Sequence, residues 1–193
     1  MQSSPSSIYS QSVDKQRIVV VGKSKTRITE MIAFVLKNNG RKFDISSSSS
    51  ETISEDAPVI IIEANGHDPK ALLAYQHHIL VFSNLPISEE DNYYNGKLAD
   101  ATPKGGSIFY DESDSLTKSI STKDRPDVAV VPYGVPKHEL KNGVAILVTS
   151  TNEKFTTHLS STEDLKNSSA AKELLKKIGI SSGQFYRAIS QFN

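Results

Sequence analysis

The residues best placed for chemistry are Gly22-Lys23-Ser24-Lys25-Thr26, a short loop that leaves the β-branched run Ile18 to Val21 and enters a helical pattern. A strand feeding a glycine-containing loop with Lys-Thr at the foot of a helix is the setting in which backbone N–H groups, the helix dipole and a lysine bind phosphates. The full motif, G-x-x-x-x-G-K-[ST], has a glycine just before the lysine so that the backbone can fold round a phosphate, and Ser24 stands there instead. Read alone, Lys25-Thr26 fits a solvated lysine beside an ordinary helix cap better than a phosphate site. His77-His78, His138 and His158 fall at predicted strand ends without metal-ligand spacing, so solvated or packing roles are expected of them. There is no cysteine, hence no thiol nucleophile, disulfide framework or cysteine-ligated zinc.

Composition narrows the classes further. Twenty-two Lys and Arg balance twenty-two Asp and Glu, which argues against the lysine and arginine excess that sequence-independent nucleic-acid binding needs. No apolar stretch approaches the 18 or so residues that span a bilayer, so no membrane partner is expected. Met1 to Asp14 is polar and Ser-rich, without the apolar core or basic flank of a secretory signal, and a cytoplasmic protein is expected. The 193 residues suggest a polar segment, 1–14, and a single domain, 15–193.

The elements that must carry the loop follow from periodicity. Ile18 to Val21, Val59 to Ile62 and Ile79 to Phe82 are uninterrupted apolar runs, the mark of strands buried on both faces of a parallel sheet. Ile28, Met31, Ile32, Val35 and Leu36 recur at helical spacing, and Gly40 closes that helix. Asp68-Pro69 reads as the start of a helix through Tyr75. Ser107 to Tyr110, a short helix near Ser115 to Ile120, and Val128 to Val131 continue the alternation. Strands alternating with helices imply an α/β fold with right-handed crossovers and ligands beyond the carboxyl ends of the strands. Asn142-Gly143 then signals a hairpin, and a small additional antiparallel sheet is expected over 139–159. Helices are predicted around Ser168 to Ile178 and from the capping box Ser181-Ser182-Gly183-Gln184. Ser46 to Asp56 reads as a low-complexity loop too polar to pack.

Five blocks, in order, resemble the central ATP-binding domain of the Mur ligases, in particular the UDP-N-acetylmuramate:L-alanine ligase and murein-peptide ligase branch. They are Ile8-Tyr9 through Asp14-Lys15-Gln16-Arg17-Ile18-Val19-Val20, Ile28-Thr29-Glu30-Met31-Ile32, Leu98 to Gly106, Asn167 to Lys172, and Gly179-Ile180 to Phe192. The resemblance implies a P-loop NTPase-like sheet flanked by helices, with ATP and magnesium as cofactors. It further implies a nucleotide site at Gly22, Lys25, Thr26, Asp111 and Asn167, and magnesium held by Thr26 and Glu63.

Against that pattern the chemistry looks eroded. The family loop, G-[ST]-H-G-K-T, is one residue longer and keeps its second glycine. Where the family has E-[AG]-D-E-x-D, this chain reads Glu63-Ala64-Asn65-Gly66-His67-Asp68, and Asp68 serves more economically as a helix cap. A metal-linked histidine after the third strand is replaced within Asn84 to Glu89. The adenine-side Y-N-x-D-D appears as Tyr110-Asp111-Glu112-Ser113-Asp114, and an H-N pair as Glu163-Asp164, leaving Asn167 retained. Binding of ATP and magnesium is therefore expected to be weak or lost, and no residue is assigned a catalytic role. The resemblance extends over the ATP domain alone, not the family's UDP-sugar or amino-acid domains. A degenerate nucleotide-binding or protein-interaction module linked to peptidoglycan synthesis is the leading expectation, with another protein chain as partner. The alternative is an ATP-dependent carboxylate-amine ligase subunit completed by another chain.

Overall fold

The apolar runs do lie side by side. In the computed structural model, which describes residues 3–64, 69–86 and 88–193, seven strands make one sheet: β1 (Gln16–Gly22), β2 (Asp44–Ser46), β3 (Glu51–Thr52), β4 (Val59–Glu63), β5 (Ile79–Ser83), β6 (Ser107–Asp111) and β7 (Ala129–Tyr133). Their order is β3-β2-β4-β1-β5-β6-β7. Every pairing is parallel except the short β2–β3 hairpin at one edge.

Period-two alternation sorts the strands' side chains between two cores. Ile18, Val20, Ile61, Val81 and Phe109 face α2 (Lys25–Asn38), α5 (Thr162–Lys177) and α6 (Ser182–Ile189). Val19, Val21, Ile60, Ile62, Leu80, Phe82 and Ile108 share the other core with α1 (Pro5–Ser10), a 3₁₀ helix over Pro69–Tyr75, α3 (Glu89–Asp100) and α4 (Ser115–Ser121). Covering both faces is what an all-parallel region requires. Within the polar N-terminal segment, Ser4 caps α1 and Ile8 is buried in the second core.

β8 (His138–Lys141), β9 (Val144–Val148) and β10 (Lys154–Thr156) form the separate antiparallel sheet. Asn142 and Gly143, both at positive φ (53° and 78°), make the tight turn between the first two. Ala145 and Leu147 of β9 join the first core, and Phe155 stacks on Tyr186 of α6 with ring centroids 5.3 Å apart.

Several expectations need correction. The helix expected through Tyr75 is 3₁₀, and Asn65 to Asp68, with the cap expected of Asp68, lie outside the described residues. The serine run does pack in part: Ser46 ends β2, Ser47 is buried, and the hydroxyl of Ser47 donates to the Ser50 carbonyl while accepting from the Ser50 amide. Local hydrogen bonding of this kind lets a polar run occupy a sheet edge. α5 begins at Thr162, six residues before the predicted start, because Ser161 caps it. α3 was not anticipated, since its buried residues include only Leu98 and Ala99 as hydrophobics.

At the amino-terminal edge of the sheet, charge is buried. Lys15 and Asp44, 2% and 1% exposed, pair at 3.3 Å. Lys15 also donates to the Ala57 carbonyl, and Asp44 accepts from the amide and hydroxyl of Ser54. Nearby His77 is buried, with Nε2 2.9 Å from the Thr102 hydroxyl and Nδ1 unpartnered among the described residues. Burial, aided by His78 and Arg17, lowers its pKa from 6.5 to about 4.

Two predictions follow from this frame. Gly22 has φ +117°, and a Cβ there would lie 1.6 Å from the Ser83 carbonyl oxygen. Gly22→Ala should therefore cost about 3 kcal/mol, read as a lower urea midpoint. His77 is neutral in folded and unfolded chains above pH 6.5, so it has no linkage effect there. As pH falls from 6.5 towards 4 the unfolded chain is protonated first, and the folded state loses about 3 kcal/mol. Urea titrations across that window should show a steeper loss for the native sequence than for His77→Gln; parallel curves would refute it.

Candidate functional site

The carboxyl ends of β1, β4, β5 and β6 face the amino-terminal turns of α2 and α5, and the predicted site residues gather here. β1 leaves the sheet at Gly22, where the backbone passes directly against Ser83 of β5. Lys23 and Ser24 follow, and α2 starts at Lys25. Ser24 occupies the cap position, yet its side chain makes no capping hydrogen bond. Its hydroxyl donates instead to Glu163 Oε1 at 2.5 Å.

Thr26, one residue into α2, donates to Glu63 Oε1, also at 2.5 Å. The Glu63 side chain sits at the end of β4, 1% exposed, and its Oε2 has no hydrogen-bond partner among the described residues. The two residues expected to share magnesium are thus bonded directly to each other. Among the described residues, no group of three or more histidines and carboxylates is arranged to hold a metal.

α5 closes the site from the other side. Ser161 accepts from the Asp164 amide at 3.0 Å and so starts the helix with Glu163 and Asp164 in its first turn, where carboxylates favour the helix dipole. Glu163 reaches Ser24, and Asp164 pairs with Arg27 of α2 at 3.0 Å. One turn on, Lys166 pairs with Asp111 at 2.9 Å and donates to the Ser113 hydroxyl at 2.6 Å. The other Asp111 oxygen accepts from the amide and hydroxyl of Ser113. Burial pushes the Asp111 carboxyl up, but the hydrogen bonds from Ser113 and Lys166 prevail and hold it below the usual carboxylate range.

Of the residues expected to meet a nucleotide, Asp111 is thus committed to internal partners. Asn167 is buried on α5 and makes no side-chain hydrogen bond among the described residues. Lys25 forms no ion pair among them and lines a cavity of about 230 Å³ with Gly22, Asp91 and Asn95. The structure joins Thr26 to Glu63 and sets Gly22 and Lys25 on one cavity, while Asp111 is tied to α5 beside Asn167. Sequence reasoning missed the bonding roles of Ser24, Arg27, Glu163, Asp164 and Lys166. The spacing Ser161-Thr162-Glu163-Asp164 was an available signal for the helix start; nothing local pointed to contacts spanning 139 residues.

No protein-family profile matches the chain, and no curated protein matches it. Solved structures do. UDP-N-acetylmuramoylalanyl-D-glutamyl-2,6-diaminopimelate--D-alanyl-D-alanyl ligase from Acinetobacter baumannii superposes with a TM-score of 0.76 at 14% identity, over 97% of this chain and 48% of that one. A murein peptide ligase from Psychrobacter arcticus gives 0.74 at 16%, over 98% and 50%. MurF ligase from Thermotoga maritima in complex with ADP gives 0.72 at 12%, over 98% and 51%. At such identities the likeness establishes a Mur-ligase-like fold. The chain spans about half the length of these enzymes.

The Asp111–Lys166 pair joins the end of β6 to α5, and most of it is withdrawn from water. Asp111→Ala should strand Lys166 and the Ser113 amide and cost about 2 kcal/mol. Chemical denaturation at neutral pH measures this, and a change within experimental error would show the tie to be dispensable.

Proposed function

We propose that this chain is a Mur-ligase-like domain whose phosphate loop no longer serves a triphosphate. It acts as a protein-interaction module, with weak nucleotide sensing at most, in the cytoplasm and in association with peptidoglycan synthesis. The observation that carries this reading is the engagement of both loop hydroxyls, Ser24 and Thr26, by the chain's own carboxylates Glu163 and Glu63. A triphosphate brought to the loop would meet negative charge where it needs donors, and Ser24 stands where a glycine lets the backbone wrap a phosphate. The residues present therefore do not fit the group. Magnesium fares no better, because Thr26 and Glu63 supply at most three side-chain oxygens, two of them already bonded to each other, towards a six-coordinate ion that normally leans on substrate phosphates. The fold likeness supports descent from an ATP-using architecture, since one of the similar structures is described with ADP. No helix among the described residues is long and apolar enough to cross a membrane.

One observation favours the alternative, a ligase subunit completed by another chain that makes an acyl phosphate from ATP and a carboxylate. Lys25 faces its cavity without an ion-pair partner among the described residues, as a phosphate-binding lysine would. A thermal-shift titration separates the two. A dissociation constant of about 0.1 mM, probed at about 1 mM Mg-ATP, would stabilise the fold by about 1.4 kcal/mol, a rise of a few degrees in Tm. The module reading expects no such rise, and no ADP release with a UDP-muramyl acceptor and an amino acid or peptide. A rise, or turnover, abolished by Lys25→Ala would establish the ligase reading instead.

A further inference from the structure

Among the described residues the two sheets present four edge strands, and three of them are blunted against further pairing. β3 has two residues, and its Glu51 carboxylate accepts from the amide and hydroxyl of Ser3. β10 has three residues and carries Lys154. β7 bonds inward through the Ala129 amide and the Tyr133 carbonyl, so the alternate residues Val130 and Pro132 turn their backbone outwards, and proline has no N–H to offer there.

β8 differs. The Val148 amide donates to the Lys137 carbonyl at 2.9 Å, so Lys137, Glu139 and Lys141 address β9, and the N–H and C=O of Leu140 point away from it. The Leu140 side chain is 71% exposed, more than any other large hydrophobic side chain among the described residues. Glu139 and Lys141 flank it with opposite charges on the other face of the strand. Glu139 Oε2 already pairs with Lys154 at 2.8 Å, which leaves Oε1 for a second lysine. A strand of this sequence is complementary to itself. With a second β8 laid antiparallel so that the two Leu140 residues stand opposite, they exchange two N–H···O bonds and touch side chains, and Glu139 of each copy meets Lys141 of the other. A shift of two residues would set Glu139 against Glu139, so charge selects the first register. We propose that β8 pairs with β8 of a second copy of this chain about a two-fold axis at Leu140, joining two three-stranded sheets into one of six. Contact over so few residues falls well below the roughly 1,200 Å² of stable complexes, so the association is weak and concentration-dependent. It involves the antiparallel sheet alone and does not depend on whether the phosphate loop binds a nucleotide.

Sedimentation velocity from about 10 μM to about 1 mM protein should show the mean sedimentation coefficient rising towards that of a dimer. Lys141→Glu and Glu139→Lys each set like charges opposite one another twice and should weaken the association about tenfold. An equimolar mixture of those two variants should associate at least as well as the native chain, because an acidic strand then faces a basic one. All three positions of the strand centre are exposed, so circular dichroism should be unchanged. Should Glu139→Lys fail to fold, Leu140→Lys must still abolish the association. A native chain that stays monomeric at about 1 mM, variants that associate as it does, or a mixture that does not associate would each overturn the proposal. None of these outcomes touches the Mg-ATP result, so the two readings fall separately.

Discussion

The structure depends on the burial of β1 between two parallel neighbours. From Arg17 to Val21 every residue of this strand is buried, with β4 on one side and β5 on the other. A strand so enclosed cannot leave the sheet gradually, and its exit passes against β5 with no room for a side chain, which is why Gly22 stands where it does. The helix that follows is then delivered to one face, and its stripe of Ile28, Met31, Ile32 and Val35 completes the core beneath it. The position of the loop is thus a consequence of packing, whether or not the loop holds a ligand.

Charge is distributed to suit the same constraint. At the amino-terminal edge, Lys15 and Asp44 are paired and further hydrogen-bonded, so that two buried charges leave few groups unmet. Arg17 beside them donates to the carbonyls of Ser12 and Gln76 and lies over the Tyr9 ring, fastening α1 to the start of β1. At the carboxyl edge, where α/β folds place ligands, the chain's own side chains bridge the elements. Glu163, Asp164 and Lys166 link α5 to the loop, to α2 and to β6. That edge is used here to hold helices to the sheet.

That use accounts for the mixed character of the site. Glu63 and Thr26 keep the identities and positions expected of magnesium ligands, but they bond each other. Asp111 keeps a position expected to meet adenine, but its oxygens are taken by Ser113 and Lys166. Lys25 lines a cavity with Gly22 and forms no ion pair among the described residues. The polar atoms left over, Glu63 Oε2 and Thr29 Oγ1, belong to residues lining a second cavity whose walls mix Arg27, Glu30 and Lys37 with Phe34, Phe43 and Phe192.

What the sequence by itself determined is what depends on local periodicity. Uninterrupted runs such as Val59 to Ile62 mark buried strands in a covered sheet, the Ile28-to-Leu36 spacing marks one helix face, and Asn142-Gly143 turns a hairpin because both residues tolerate positive φ. Elements with little apolar signal escaped that reading: α3 buries few hydrophobics, the first turn of α5 is acidic, and the serine run reaches a sheet edge through hydrogen bonds that hydropathy does not register. Only the tertiary structure decided which polar groups meet. Ser24 and Glu163 are 139 residues apart and Thr26 and Glu63 are 37 apart. A hydrogen bond is fixed by distances of a few tenths of an ångström that packing sets and residue spacing does not carry. The sequence named candidate ligand residues, and the fold determined that Thr26 and Glu63 bond each other while Asp111 is held by Ser113 and Lys166.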